Sequence, residues 1–204
     1  ETTREVGVVG AVNYSYDNRY LADLSYRLSG SSIYGSDNRW GGFWSAGVGW
    51  NLHHEAFLKE AEWLRQFKLR ASVGYTGSQN FNPYQAMATY KYFTDAEYDN
   101  IVGAYLMGMA NDKLKWQQTR DVNVGFDVQL LKGMTVRFDY YVSNTDNLLV
   151  DFDLSGSTGF NTFKENLGEV QNRGFDATIN WRVYENTKND AYVTLFGSVS
   201  SNKN

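Results

Sequence analysis

The chain has 204 residues, with 19 Lys and Arg against 23 Asp and Glu, and its formal charge of -4 is spread along the sequence, leaving no basic footprint for nucleic acid. Cysteine is absent, which excludes a disulfide framework and thiolate metal sites, and no run of about 18 apolar residues exists to form a membrane-spanning helix. Aromatic residues at 16%, with 19 Gly and a single Pro, suit an all-β protein, and a negative mean hydropathy does not exclude a transmembrane barrel, whose strands turn half their residues to a polar interior.

Glu1 opens the sequence without a signal segment, so any export address is expected to have been removed or to lie outside this stretch. The first predicted strand covers Arg4 to Tyr16, with Val8, Gly10, Val12, Tyr14 and Tyr16 on one face. Asp17, Asn18 and Arg19 form a short turn, where Asp and Asn tolerate left-handed backbone. The second strand alternates Tyr20, Ala22, Leu24, Tyr26 and Leu28 against Asp23, Ser25, Arg27 and Ser29. After a loop over 31–40 the third runs from Gly42 to Leu52, its apolar face Trp44, Ala46, Val48 and Trp50.

Residues 53–65 hold the one helical candidate, with Phe57, Leu58, Ala61 and Leu64 at helical spacing. His53 and His54 stand at its start, and on an extended backbone adjacent side chains point apart, so no shared metal is expected. A fourth strand carries Phe67, Leu69, Ala71, Val73 and Tyr75. An irregular excursion follows from Ser78 to Lys115, with an extra hairpin expected around Tyr84 to Thr94. So long a connection is usually functional.

Val122 to Leu130 and Met134 to Val142 are two further strands joined by a tight turn at Lys132 and Gly133. A second long excursion is expected over 144–173. The seventh strand alternates Phe175, Ala177, Ile179, Trp181 and Val183 against Asp176, Thr178, Asn180 and Arg182, and the eighth spans Ala191 to Ser200 less regularly.

These strands are longer than the usual five or six residues, the connections alternate between short and long, and Tyr and Trp gather near strand ends (Tyr14, Tyr16, Tyr20, Trp44, Trp50, Trp116, Tyr140 and Tyr141). Together they predict an antiparallel transmembrane β-barrel segment of about eight strands with long extracellular loops. Asp23, Arg27, Asp127, Arg137, Asp139, Asp176 and Arg182 would then line a wet lumen. Two alternatives share the pattern: a small self-closed barrel, and a soluble β-sandwich with those charges on its outer face.

Several ordered blocks carry a resemblance. Tyr26-Arg27, Gly30-Ser31-Ser32, Gly35 and Asn38-Arg39-Trp40-Gly41 form the first, and Phe57-Leu58-Lys59, Trp63-Leu64, Leu69-Arg70-Ala71-Ser72, Thr76-Gly77 and Gln79-Asn80 the second. Asn111 with Leu114-Lys115-Trp116, Asn123-Val124-Gly125, Asp139-Tyr140-Tyr141, and Asn166, Gly168-Glu169-Val170, Asn172 and Gly174 complete them. The whole chain thereby resembles the SusC/RagA family, TonB-dependent outer-membrane transporters of Bacteroidetes. Ser29, Ile33, Asp112 and Gln117 depart from the family pattern.

The resemblance implies a piece of the C-terminal half of a barrel of roughly 22 strands, with the plug domain and final strands outside this chain. It implies import of a large nutrient, an oligosaccharide or a peptide, across the bacterial outer membrane. The implied partners are outer-membrane lipid, a SusD-like surface lipoprotein, and the TonB complex acting through the N-terminal region. No cofactor, metal or catalytic residue is expected. Asp121 with Asp127 and Asp151 with Asp153 lack the placement of an acid/base pair, and Gly156 to Gly159 lacks the strand-then-helix context of a phosphate loop. Tyr34, Arg39, Trp40, Tyr92, Tyr98 and Tyr105 are the candidate ligand contacts of the outer loops, by ring stacking and polar bonds to a sugar; Arg39 and Trp40, within the family blocks, better suit pinning their own loop.

Overall fold

A computed structural model describes residues 3–34, 36–78, 87–130, 133–186 and 191–204, with the backbone only at 36 and 96–98. Ten strands follow one another: β1 Glu5–Tyr16, β2 Tyr20–Ser31, β3 Trp40–Asn51, β4 Leu64–Ser78, β5 Thr89–Tyr98, β6 Ile101–Gly108, β7 Gln117–Leu130, β8 Met134–Asp153, β9 Thr162–Asn186 and β10 Ala191–Lys203. Eight of them form one antiparallel sheet in the order β1-β2-β3-β4-β7-β8-β9-β10, and β5 and β6 pair only with each other. The eight strands expected from alternation are the eight of this sheet. The extra hairpin is present, a few residues later than expected, and Tyr84 lies outside the described residues.

Two expectations change. The excursion over 144–173 is largely strand, because β8 and β9 run on to Asp153 and from Thr162 as one long hairpin. A bulge between Thr145 and Leu148, with Asn147 at φ 58°, shifts the alternation there. The helix over 53–65 is instead a 3₁₀ turn at Leu52–His54 and a run of tight turns. Phe57 and Trp63 stay exposed, so an apolar helical stripe would have had nothing to pack on. His53 and His54 lie with ring centroids 4.1 Å apart rather than on opposite sides, since the 3₁₀ turn replaces extended backbone. His53 Nδ1 sits 3.2 Å from the Phe67 carbonyl oxygen, and no metal-holding cluster occurs among the described residues.

The sheet has no second layer. Val8 is 66% exposed, and Val12, Tyr14, Leu24, Val48 and Val124 on the same face are also bare. Among the described residues only Tyr34, Phe43, Leu52, Leu114 and Trp116 form a buried apolar set. A sandwich would bury the whole apolar face, so that alternative falls. A self-closed barrel falls too, because among the described residues β1 pairs with β2 alone and β10 with β9 alone.

Register puts all seven predicted lumen charges on the other face. Arg70 stands opposite Gly125, and Gly125 opposite Asp139, which is opposite Asp176. Arg70 Nη2 donates to Asp139 Oδ2 at 2.6 Å and its Nε stands 3.2 Å from Asp127 Oδ2, while Arg137 Nε donates to Asp127 Oδ1 at 2.8 Å. These half-exposed pairs lock three strands in register. Gly125 makes the span possible: a Cβ there would stand 2.5 Å from Asp139 Oδ1 and 2.6 Å from the Phe138 carbonyl oxygen. Arg182 extends the polar face and lies 5.5 Å from the Tyr192 ring centroid. That contact accounts for an aromatic residue on this face of β10.

The short-turn rim is an aromatic belt. Asp17 and Asn18 take φ near 50°, as their residue types allow. Tyr16, Tyr20 and Trp50 stack in a row, and Tyr20 Oη and Trp50 Nε1 both donate to Glu55 Oε1 at 2.9 and 3.0 Å. Arg19 Nη1 stands 3.5 Å from Glu55 Oε2. Tyr14, Trp44 and Tyr140 also face outward, as the girdle requires, but Trp116 is buried and Tyr141 shares the polar face.

Gly125→Val in the full-length protein should destabilise the barrel by about 1–3 kcal/mol, read from its unfolding midpoint in detergent, because backbone must move to admit the side chain. An unshifted midpoint would refute the close-approach role. The donors from Trp50 and Tyr20, then the Arg19 charge, outweigh partial burial and hold Glu55 below the usual 4.5. With the folded pKa depressed, this latch contributes fully above the ordinary value and is lost as pH falls through the folded one. The Tm advantage of wild type over Glu55→Gln should therefore be present at neutral pH and shrink as pH falls below the ordinary carboxylate range.

Candidate functional site

The opposite rim carries the long connections, and the segment between β6 and β7 braces them. Tyr34, from the β2–β3 loop, stacks on Trp116 with centroids 4.0 Å apart, and Phe43 meets Trp116 edge-on at 5.4 Å. Gly41 and Gly77 leave the room that the Phe43 ring fills. Tyr34 Oη donates to the Ser78 carbonyl at 3.2 Å. Burial, and then the Glu5 carboxylate, push the phenol pKa well above its ordinary value. Leu114, two residues before Trp116, is fully buried.

Asparagines complete the clasp. Asn111 Oδ1 accepts from the Lys113 N–H at 3.1 Å, an Asx turn, while its Nδ2 donates to the Lys164 carbonyl at 2.7 Å. Asn166 Oδ1 accepts from the Lys115 N–H at 2.9 Å, and its Nδ2 donates to the carbonyls of Lys115 and Asn147. Asn38 Nδ2 reaches the Lys113 carbonyl at 3.3 Å. One short segment thus ties the β2–β3 loop to the extended β8–β9 hairpin. Each amide supplies donor and acceptor at once, which satisfies irregular backbone that no strand pairs.

Below the clasp, on the polar face, lies a pocket of about 460 Å³ lined by Glu5, Gly7, Arg27, Ser29, Thr76 and Trp116 among others. Arg27 Nε donates to the buried Ser29 Oγ at 2.8 Å.

The six predicted loop contacts are not brought together. Tyr34 is only 2% exposed, so its ring is spent on Trp116 and has no face for a ligand. Trp40 lies on the apolar outer face against Gly30, where a Cβ would meet its ring at 2.9 Å, so it stands away from the lumen. Both corrections share a cause: each aromatic found a neighbour that local pattern does not reveal. Arg39 is exposed, and its carbonyl accepts from the Ser31 N–H. Tyr92 is opposite Ala104 and Tyr105 opposite Lys91, so these two rings lie on opposite faces of the β5–β6 ribbon. The Tyr98 side chain lies outside the described residues. Asn111 and Asn166 were legible only as parts of the family blocks, Trp116 there and as a strand-end aromatic, Glu5 and Gly7 not at all.

A single-layer antiparallel sheet, apolar on one face and charged on the other, with tight turns on one rim and braced connections on the opposite rim, is a wall of a transmembrane β-barrel. The chain belongs to the TonB dependent receptor-like β-barrel family, whose description matches residues 1–203. It is 34% identical over 204 residues to TonB-dependent receptor P3 of Formosa agariphila, covering 99% of this chain and 20% of that protein. It is 36% identical over 183 residues to TonB-dependent receptor SusC of Bacteroides thetaiotaomicron, covering 86% of this chain and 18% of that one. The chain therefore spans about a fifth of these relatives.

The RagAB peptide transporter is similar in structure, with a TM-score of 0.88 at 25% identity over 98% of this chain and 22% of that one. The siderophore receptor PirA from Pseudomonas aeruginosa shares the fold, with a TM-score of 0.61 at 12% identity over 98% of this chain and 34% of that one. The chain is a SusC/RagA-type barrel piece. Members of this family reside in the bacterial outer membrane and are transporters rather than enzymes.

Trp116→Ala removes the ring on which Tyr34 and Phe43 converge, at an expected cost of about 3–5 kcal/mol. Asn166→Ala should cost about 0.5–1.5 kcal/mol, because it removes the bonds that tie the Lys115 and Asn147 backbone to β9. Limited proteolysis of the full-length protein should show faster nicking within 87–116 for both variants, more so for Trp116→Ala. Unchanged nicking in both would mean that the clasp does not hold the excursion.

Proposed function

We propose that the full protein containing this chain imports a large nutrient, an oligosaccharide, across the outer membrane in a TonB-dependent manner. This chain supplies one sector of the barrel wall and several outer loops, while a plug domain and the remaining strands come from the rest of the protein. The observation that carries the reading is the two-faced single sheet, whose charged side matches a wet lumen and whose likeness to TonB-dependent receptor barrels runs along nearly its whole length. Energy would come from the TonB complex acting on the plug.

A SusD-like surface lipoprotein is the proposed partner at the outer rim. The β5–β6 ribbon supports this, because a two-stranded ribbon alone is marginal in water and this one exposes Tyr90, Tyr92, Ile101 and Met107. For cargo, exposed tyrosines and neutral polar side chains at this rim suit sugar rings and hydroxyls. Peptide is the second reading, favoured by the likeness to the RagAB peptide transporter.

The test is uptake by cells of the source strain with and without the gene, offered either neutral oligosaccharides or peptides as sole nutrient. Loss of glycan-dependent growth in the deletion strain, reproduced by a protonophore in an uptake assay, is the expected result. Loss of peptide-dependent growth alone would transfer the assignment to the peptide reading.

A further inference from the structure

We infer that the apolar face of the wall holds a basin for an acyl chain of one inner-leaflet glycerophospholipid, a lipid that stays with the protein instead of exchanging with the bulk.

The basin follows from register. Ala22, Val48, Ala71 and Val124 stand side by side across β2, β3, β4 and β7, a row of short side chains on the apolar face. Taller groups surround this floor. Tyr20, Trp50, Leu69 and Phe126 form the adjoining row on the turn side. Tyr14 stands opposite Ala22 at one end, and Tyr140 opposite Val124 at the other. The row beyond, Leu24, Ala46, Val73 and Val122, carries no ring, and aromatics return with Tyr26, Trp44 and Tyr75.

A hollow of about 700 Å³ opens over this floor, lined by Tyr14, Ala22, Trp50, Ala71 and Val124 among others. Its turn-side rings cannot swing across it, because Tyr20 Oη and Trp50 Nε1 are both tethered to Glu55 Oε1. Arg70 touches the hollow from its strand, but its guanidinium is held on the polar face by Asp127 and Asp139. The floor therefore offers a ligand no charge.

Depth selects the occupant. Tyr26 lies about 20 Å along β2 from Tyr20, at roughly 3.4 Å per residue. With a strand tilt of about 40°, that is roughly 15 Å of depth, half of a hydrocarbon layer about 30 Å thick. The hollow thus begins at the aromatic belt and its frame ends near the bilayer midplane, the reach of one leaflet. Short turns mark the periplasmic rim of such barrels, so the leaflet is the inner one. A second copy docked here would set rings against rings and leave the floor unfilled, whereas a flexible chain reaches it and recovers the dispersion that a gap forfeits. The floor also lies within the sheet, with β1 on one side and β8 to β10 on the other, so strands added at the two edges do not cover it.

The experiment uses the full-length transporter, purified in detergent with any lipoprotein that accompanies it, washed free of loosely held lipid and incubated with palmitoyl-oleoyl phosphatidylethanolamine. Native mass spectrometry then counts the phospholipids that survive as collision energy rises. Ala22→Phe and Ala71→Phe each put a ring on the floor, and Val8→Phe puts one on the same exposed face outside the basin. Wild type and Val8→Phe should keep one phospholipid more than either floor variant. Each floor variant reports by itself, so the comparison stands if the other fails to fold. Equal counts in wild type and the folded floor variants would overturn the basin. A wild type that sheds every phospholipid in one continuous series would do so without recourse to variants. A wild-type dimer free of retained lipid, split by the floor variants, would also overturn it and give the face to a second copy.

Discussion

Hydrocarbon is the missing second layer of this protein. An isolated sheet with Val8, Leu24, Val48 and Val124 bare on one face could not persist in water, and no element among the described residues covers them. Lipid also imposes the pairing rule. With no water available in the membrane core, each strand must satisfy its neighbour's backbone groups, which an unbroken run of antiparallel ladders does. The length of the strands, the belt of rings at the turn rim and the gathering of the Arg70, Asp127, Arg137 and Asp139 charges on one face all follow from that setting.

The polar face solves a different problem. Charges facing a wet lumen lose little hydration, so their pairs contribute modestly to stability and chiefly fix alignment. Arg70 reaches over Gly125 to Asp139, and Arg137 returns to Asp127, so that three strands are tied by one chain of contacts. A slip of one residue would turn those side chains to lipid. The charges thus specify register, while the apolar face supplies the driving force for insertion.

Much of this was written in the period-two pattern. Strands β1 to β3 are legible nearly end to end, and β4 and β7 over their inner parts, because apolar and polar residues alternate there without interruption. The outer halves of β8 and β9 were not, since Asn144, Thr145, Asp146 and Asn147 read as loop and the bulge at Asn147 breaks the phase. The polar wall was legible because a face follows from register alone. The loop contacts were less so. Tyr34 shows no partner in sequence, yet its ring stacks on Trp116, remote in the chain, and Trp40, which suits pinning its own loop, lies across a ladder from Gly30. The pocket depends on Glu5 and Gly7, whose residue types carry no signal until the register sets them beside Arg27 and Ser29.

The clasp and the excursion it restrains bear on the order in which this wall assembles. Pairings such as β1 with β2 and β7 with β8 join segments separated by a tight turn, and their loop-closure entropy is small. The β4–β7 ladder instead closes over the whole stretch 79–116 before its first rung can form. In a sheet of otherwise local contacts this seam has the highest contact order, so it is the natural kinetic bottleneck. On either side of it stand two blocks of neighbouring strands, β1 to β4 and β7 to β10, that can zip up independently. By holding both ends of the excursion together, the rings and amides of the clasp shorten the search that joins those blocks.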